Sequence, residues 1–102
     1  MRLASVSLGI ELRLMKTVCF YEVAPDAAAK LMTHFPAHRA RLDEFHARGL
    51  LHAAGPLGNP PEGAMAIFST REAAEEFIKS DPFVTSGAVS KWRLMEWNAA
   101  FI

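Results

Sequence analysis

LMTHFPAHRARLDEFHARGLLHAA (residues 31–54) predicts a helix followed by a strand. Apolar or aromatic residues recur every three or four positions as far as Phe45, which is the spacing of one helix face. Gly49 then follows the periodic segment, and glycine commonly ends helices in a left-handed conformation. The apolar run over residues 50–54 is short and bounded by turn residues, so it predicts a buried strand.

Prolines and polar residues suggest where this helix begins and breaks. Residues 17–23 (TVCFYEV) are rich in β-branched and aromatic side chains and predict a first strand. Asp26 is a suitable N-cap for the helix that follows. Pro36 lies within the periodic segment, so we expect a break or kink near Phe35 and a second helical piece over residues 37–48.

The remainder of the chain adds two strands and a helix. Residues 64–68 form a third strand, joined to the second by a turn-rich loop as a hairpin. Ser69 and Glu72 have the spacing of a capping box for a helix over residues 71–79, which Asp81-Pro82 ends. Residues 89–98 form the last strand. The order β-α-β-β-α-β predicts a ferredoxin-like α+β fold, with a four-stranded antiparallel sheet and two helices on one face.

The first and last strands are apolar on both sides, although two helices cover only one sheet face. A sheet with one solvated face should alternate between apolar and polar residues. Sheet-to-sheet homodimerisation would cover the second face, and it is the partner that we expect. The strand residues behind this expectation are Val18, Cys19, Phe20, Tyr21, Trp92, Leu94, Met95 and Trp97.

The composition of the chain argues against several classes of function. The 102 residues carry eleven basic and eleven acidic side chains without a block of like charge, which argues against nucleic acid or an anionic membrane as a partner. The single cysteine, Cys19, excludes an intrachain disulfide and favours the cytoplasm. Residues 1–14 only faintly resemble a signal peptide. We expect them to be an N-terminal extension preceding a domain over residues 15–102.

His38 and Asp81 are the candidate catalytic residues. His38 lies on the apolar helix face, so its imidazole should point inward, and Asp81 ends the second helix. A carboxylate bonded to one ring nitrogen fixes the tautomer and makes the other nitrogen a better base. The alternative is a core histidine whose hydrogen bonds are satisfied, with Asp81 acting only as a helix stop.

Other polar residues have simpler interpretations. His34 and His38 have a zinc-ligand spacing, but Pro36 spoils it, so we expect no metal and regard His34, His46 and His52 as solvated. Cys19 should be a buried, unreactive thiol. Arg41 is a candidate to bind a substrate carboxylate. The alternative is that it forms an exposed salt bridge on the helix. Gly55 and Pro56 form either a plain hairpin loop or the rim of a cleft.

Two segments of the chain resemble the YCII-related family, the YciI-like proteins. They are residues 36–57 (PAHRARLDEFHARGLLHAAGPL) and residues 81–98 (DPFVTSGAVSKWRLMEWN). The matching features are His38 with Leu42, the AGP turn ending at Pro56, and Asp81-Pro82-Phe83 followed by Gly87. The resemblance implies a dimeric α+β barrel with a pocket at His38 and Asp81, and it adds Phe83 to the candidate binding residues. Relatives of this fold include muconolactone isomerases and chloromuconolactone dehalogenases.

These observations lead to three hypotheses about function. The first is a small enzyme of the lyase, isomerase or dehalogenase type that uses His38 and Asp81 on a lactone- or enol-like metabolite and needs no cofactor. The second is a dimeric module that binds or senses a small molecule without chemistry. The third is an interaction protein with no ligand.

Overall fold

The computed structural model describes residues 15–102, which form a four-stranded antiparallel sheet with helices on one face. The strands are β1 (Met15–Val23), β2 (Leu51–Leu57), β3 (Gly63–Phe68) and β4 (Val89–Asn98), in the sheet order β2-β3-β1-β4. The helices are α1 (Ala28–Ala47), α2 (Arg71–Ser80) and α3 (Pro82–Thr85). This confirms the ferredoxin-like α+β fold. The expected N-terminal extension, residues 1–14, lies outside the described residues.

The register of the central strands separates the two sheet faces. Cys19 lies opposite Ala66 on β3 and Leu94 on β4, and these residues belong to the core under the helices. Phe45 from α1 and Phe77 from α2 pack edge to face above this core, with ring centroids 5.2 Å apart. Burial of such aromatic side chains is the main stabilising contribution in a domain of this size.

The opposite sheet face carries apolar side chains that no helix of residues 15–102 covers. Val18 pairs with Met95 across β1 and β4, and Lys16 pairs with Trp97. Met95 is 49% exposed and Trp97 36% exposed. The expectation that β4 has two apolar sides is therefore confirmed within the described residues, with Trp92 and Leu94 on the helix side.

Helix α1 is continuous, so the expected break at Pro36 is wrong. Proline removes one hydrogen bond, to the carbonyl of Met32, and both residues are exposed, where water can take the place of the missing donor. Asp26 is also not the N-cap. It adopts a left-handed φ of 57° one residue earlier, and Ala27 takes the cap position without a side-chain hydrogen bond.

The end of α1 follows the prediction from Gly49. This glycine has a φ of 74°, and its amide donates to the carbonyl of His46 at 3.0 Å. The next amide, of Leu50, donates to the carbonyl of Phe45 at 2.9 Å. This pair of bonds is the Schellman motif, and it turns the chain directly into β2.

Three further boundaries differ from the sequence prediction. Strand β2 continues through Gly55 and Pro56, because an edge strand can accommodate a residue without an N–H. Thr70, not Ser69, caps α2, and its hydroxyl accepts from the Ala73 amide at 3.1 Å. The short helix α3 was not predicted. It begins because the Asp81 side chain accepts from the Phe83 amide, with Pro82 at the first helical position.

Gly63 is the glycine whose replacement should be most damaging. A Cβ at this position would overlap the backbone oxygen of Tyr21 on the paired strand β1. We expect Gly63→Ala to lower the free energy of unfolding by about 1–3 kcal/mol, because the two strands must separate. Gly55→Ala is the matched control, since its Cβ would meet nothing within 4 Å. Equal stability of the two variants in urea denaturation would contradict this prediction.

Candidate active site

The site is built around Asp81, a fully buried side chain at the junction of α2 and α3. One carboxylate oxygen, Oδ2, accepts a 2.6 Å hydrogen bond from the Tyr21 hydroxyl. The other, Oδ1, accepts from the Phe83 amide at 3.1 Å and lies 2.7 Å from Nδ1 of His38. Buried carboxylates need several donors to offset lost hydration, and these three residues supply them.

His38 lies in the middle of α1, and not in the first turns of a shorter helix as the sequence suggested. Its ring stacks on Phe83 with centroids 3.8 Å apart and 12° between planes, and it meets Phe77 edge on at 6.1 Å. These contacts and the bond to Asp81 fix the ring orientation. With Asp81 as a carboxylate, Nδ1 carries the proton and donates, so the neutral imidazole has its free electron pair on Nε2.

The second ring nitrogen of His38, Nε2, has some exposure to solvent. Within residues 15–102 it makes no hydrogen bond, and no buried polar side-chain atom in that part of the chain lacks a partner. Nε2 is therefore not a buried nitrogen that lacks a hydrogen-bond partner. The His38 side chain is 12% exposed and lines a cavity of about 570 Å³ between α1 and the β2–β3 hairpin.

The cavity wall is almost entirely apolar. Helix α1 stands away from the sheet over its first half, where Leu31 and Phe35 remain unburied, and this separation creates the cavity. The apolar stripe of α1, which is the helix face expected to point inward, is not buried along its whole length, since Phe35 is half exposed. The stripe instead forms one wall. Besides His38, residues contributing to the wall include Met32, Phe35, Leu42, Ala54, Pro61, Met65, Phe68 and Phe77.

Burial and the Asp81 charge shift the pKa values of two buried side chains of β1, Tyr21 and Cys19. Burial and then the neighbouring Asp81 charge raise the pKa of the Tyr21 hydroxyl far above its usual value, so Tyr21 stays protonated and donates. The same two causes raise the pKa of Cys19 to about 12. The thiol is therefore almost never a thiolate at neutral pH, and the prediction of a buried cysteine is confirmed.

The structure brings together five of the six residues selected from the sequence. His38 and Asp81 are in contact, and Gly55, Pro56 and Phe83 line the same cavity as His38.

Arg41 does not line the cavity, so its position gives no support to the expected contact with a substrate carboxylate. Its guanidinium donates to the carbonyls of Phe77 and Glu76, at 3.1 and 2.7 Å, and stacks over the ring of Phe45 at 4.9 Å. This position ties α1 to α2. It also differs from the exposed salt bridge considered as the alternative.

The remaining histidines do not assemble a metal site. Within residues 15–102 no group of three or more potential ligands from His, Cys, Asp and Glu lies close enough to hold an ion. His46 and His52 are exposed. Burial, followed by the charges of Lys16 and His46, lowers the pKa of His52. No helix in this part of the chain is both long and apolar enough to cross a membrane.

Sequence reasoning missed two site residues. Tyr21 was counted only as an apolar strand residue, although a buried phenol needs a hydrogen-bond partner and so signals a polar neighbour. Arg39 also lines the cavity, whereas Arg41 does not. Helical spacing separates these two arginines by about 200°, and Arg39 is the one on the Met32 side of α1.

Comparison with known proteins identifies the family. The model of the YCII-related domain matches residues 15–98. The chain belongs to the YCII-related family. The protein YciI of Escherichia coli O6:H1 is 33% identical over 84 residues, covering 72% of this chain and 86% of YciI. YciI of Shigella flexneri matches to the same extent.

Solved structures share the fold at low sequence identity. The 5-chloro-2-hydroxyhydroquinone dehydrochlorinase TftG of Burkholderia phenoliruptrix, solved with 2,5-dihydroxybenzoquinone, superimposes with a TM-score of 0.68 at 17% identity, covering 80% of this chain and 92% of that protein. An antibiotic biosynthesis monooxygenase superimposes with a TM-score of 0.56 at 14% identity, covering 84% and 98%. These similarities show a shared ferredoxin-like fold.

Proposed function

We propose that this protein is a small cytoplasmic enzyme that moves a proton on a small lactone- or enol-like metabolite, with His38 as the general base and acid. One observation carries the proposal. Asp81, fully buried, lies 2.7 Å from Nδ1 of His38, a residue that lines the cavity and whose Nε2 makes no hydrogen bond within residues 15–102. This arrangement gives an imidazole a fixed tautomer and an available base.

In the proposed reaction, Nε2 of His38 removes a proton from an acidic C–H or O–H of the substrate. The electron pair left behind forms a double bond or an enolate, and the resulting imidazolium keeps its Nδ1–H bond to Asp81. In an isomerisation, the same proton returns to a different carbon. In a dehalogenation, the electron pair expels a halide ion, and the imidazolium then releases its proton to water. None of these steps requires a cofactor.

The substrate is proposed to be cyclic and largely apolar. The cavity volume of about 570 Å³ suits a molecule of ring size, and its wall offers aromatic and aliphatic surface. TftG, which shares the fold, is described as a dehydrochlorinase of a ring compound and was solved with a benzoquinone. The likeness is one of fold alone, so it supports a compound class without naming a substrate.

The experiment is a ligand screen followed by hydrogen exchange. Lactones, enolisable ketones and chlorinated hydroquinones would first be ranked by the rise in melting temperature that they cause. Each stabilising compound would then be incubated with protein in D₂O, and deuterium incorporation followed by proton NMR. The proposal expects protein-dependent exchange at one carbon position. Stabilising compounds that never exchange, eliminate or isomerise would reject it.

A second function is supported by the same cavity. Its apolar wall would hold a ring compound without any reaction, so a non-catalytic module that binds or senses a small molecule is the alternative. Tight binding without exchange in the experiment above would favour this function. A chain with no ligand at all, the third hypothesis, would leave the melting temperature unchanged throughout the screen.

The partner is proposed to be a second copy of this chain, bound through the uncovered sheet face. Met95 and Trp97 are large apolar side chains on that face, and Phe20 lies beside them under the guanidinium of Arg93, 4.9 Å from its ring centre. Such a face is costly to expose and suits an isologous interface between two sheets.

Met95→Glu should convert the proposed dimer to a monomer. A carboxylate at this position would be desolvated in the proposed interface, which is strongly unfavourable. Met32→Glu is the matched control, because Met32 is 80% exposed but lies on α1. Sedimentation velocity should show a dimer for wild type and for Met32→Glu, and a monomer for Met95→Glu. A wild-type monomer at micromolar concentration would contradict the proposal.

A further inference from the structure

Arg39 is the only permanently charged side chain among the described residues that line the cavity. The wall contains no aspartate or glutamate from residues 15–102, and Asp81 lies behind His38 and Tyr21. The cavity therefore combines an apolar interior, one imidazole and one guanidinium. That combination favours a ligand that is an anion over one that is neutral or positively charged.

Arg39 lies where the cavity opens to solvent. Its side chain is 63% exposed, and Met32, seven residues earlier on the same side of α1, is 80% exposed while also lining the cavity. Across the opening, Pro56 and Pro61 are exposed on the hairpin side. A charged group held by Arg39 would therefore stay near water, while the rest of the molecule enters the apolar interior towards His38.

The guanidinium is free to change partner. Its contact within the described residues is an exposed pair with Asp43, four residues along the helix, with Nε and Oδ1 3.2 Å apart. Exposed pairs of this kind contribute little to stability. A ligand carboxylate can replace Asp43 and accept two parallel hydrogen bonds from the planar guanidinium, which one helical aspartate bond does not provide.

We infer that Arg39 anchors the carboxylate of an apolar, ring-containing acid and so selects monoanionic substrates for the His38 site. This inference rests on the proposed function, because it names the substrate class of that site. The carboxylate fixes one end of the ring at the cavity opening, and the opposite end then lies on the His38 side. Arg39 is in this sense a specificity residue and takes no part in proton transfer.

The test compares ring carboxylates with their neutral amides. Benzoate, 2,5-dihydroxybenzoate and cyclohexanecarboxylate would each be titrated beside the matching amide by isothermal titration calorimetry. We expect wild type to bind at least one carboxylate about tenfold or more tightly than its amide. Arg39→Gln should lose that preference. Arg71→Gln is the matched control, since Arg71 forms the same type of exposed pair, with Glu75 at 3.3 Å, outside the cavity.

Three results would overturn the inference: equal binding of acid and amide by wild type, an unchanged preference in Arg39→Gln, or no binding of any of the three carboxylates at millimolar concentration. His38→Gln separates this inference from the proposed function. It should keep the preference for the carboxylates and lose deuterium exchange of the lactones or enolisable ketones found in the ligand screen, because the three ring acids themselves carry no acidic C–H. If wild type prefers the carboxylates but exchanges no compound of the ligand screen, only the role of His38 is rejected. If wild type exchanges a compound of that screen but shows no preference for the carboxylates, only the role of Arg39 is rejected.

Discussion

His38→Gln is expected to lower protein-dependent deuterium exchange, or turnover where a substrate is found, by about 10²–10⁴-fold. Glutamine keeps a polar group near Asp81 but has no nitrogen that accepts and releases a proton near neutral pH. Binding of the same compound should change much less, because the cavity wall is apolar and intact. The measurement is proton NMR in D₂O at matched protein and ligand concentrations.

His46→Gln is the control for this substitution. His46 lies on the same helix and is exposed, and it does not line the cavity. The exchange rate of His46→Gln should equal that of wild type. A His38→Gln protein that folds and exchanges at the wild-type rate would remove His38 from the reaction, and the binding module would then be the better function.

The strands and their order were predictable because their signals are local. The β-branched and aromatic run over residues 17–23 and the boundaries of β4 needed no tertiary information. The ends of the helices were harder to predict from the sequence. Ser69 and Thr70 are adjacent and chemically equivalent as caps, so only backbone geometry decides that Thr70 accepts from Ala73. Likewise, the cost of Pro36 depends on whether water reaches the Met32 carbonyl, which a sequence does not show.

The sequence was enough to select most of the residues of the site, but not to predict which of them are in contact. The helix face that carries His38 and the position of Asp81 at the end of α2 were visible, but the contact between them spans 43 positions in the chain and depends on how α1 packs. The distinction between Arg39 and Arg41 depends on the same packing. Because α1 stands off the sheet, Arg39 lines the resulting cavity, whereas Arg41 reaches the carbonyls at the end of α2.

Asp81→Ala is expected to lower the free energy of unfolding by about 3 kcal/mol. The substitution leaves the Tyr21 hydroxyl, Nδ1 of His38 and the Phe83 amide without their acceptor, and each buried donor without a partner costs about 1–3 kcal/mol. Removal of a buried carboxylate offsets part of this loss, because its desolvation cost disappears. Urea denaturation followed by tryptophan fluorescence, at one fixed protein concentration, measures the change.

Tyr21→Phe tests whether the Asp81 carboxylate is the reason for this loss. In the wild-type background, Tyr21→Phe should lower the free energy of unfolding by about 1–3 kcal/mol, because it removes a 2.6 Å hydrogen bond to a charged acceptor. In the Asp81→Ala background it should cost much less, because the hydroxyl has already lost its acceptor. Ser90→Ala, which removes an exposed hydroxyl that donates to the Glu22 carbonyl at 3.4 Å, should change stability by less than about 0.5 kcal/mol. Equal costs of Tyr21→Phe in both backgrounds would mean that the hydroxyl stabilises the fold by packing, and that Asp81 holds His38 without help from β1.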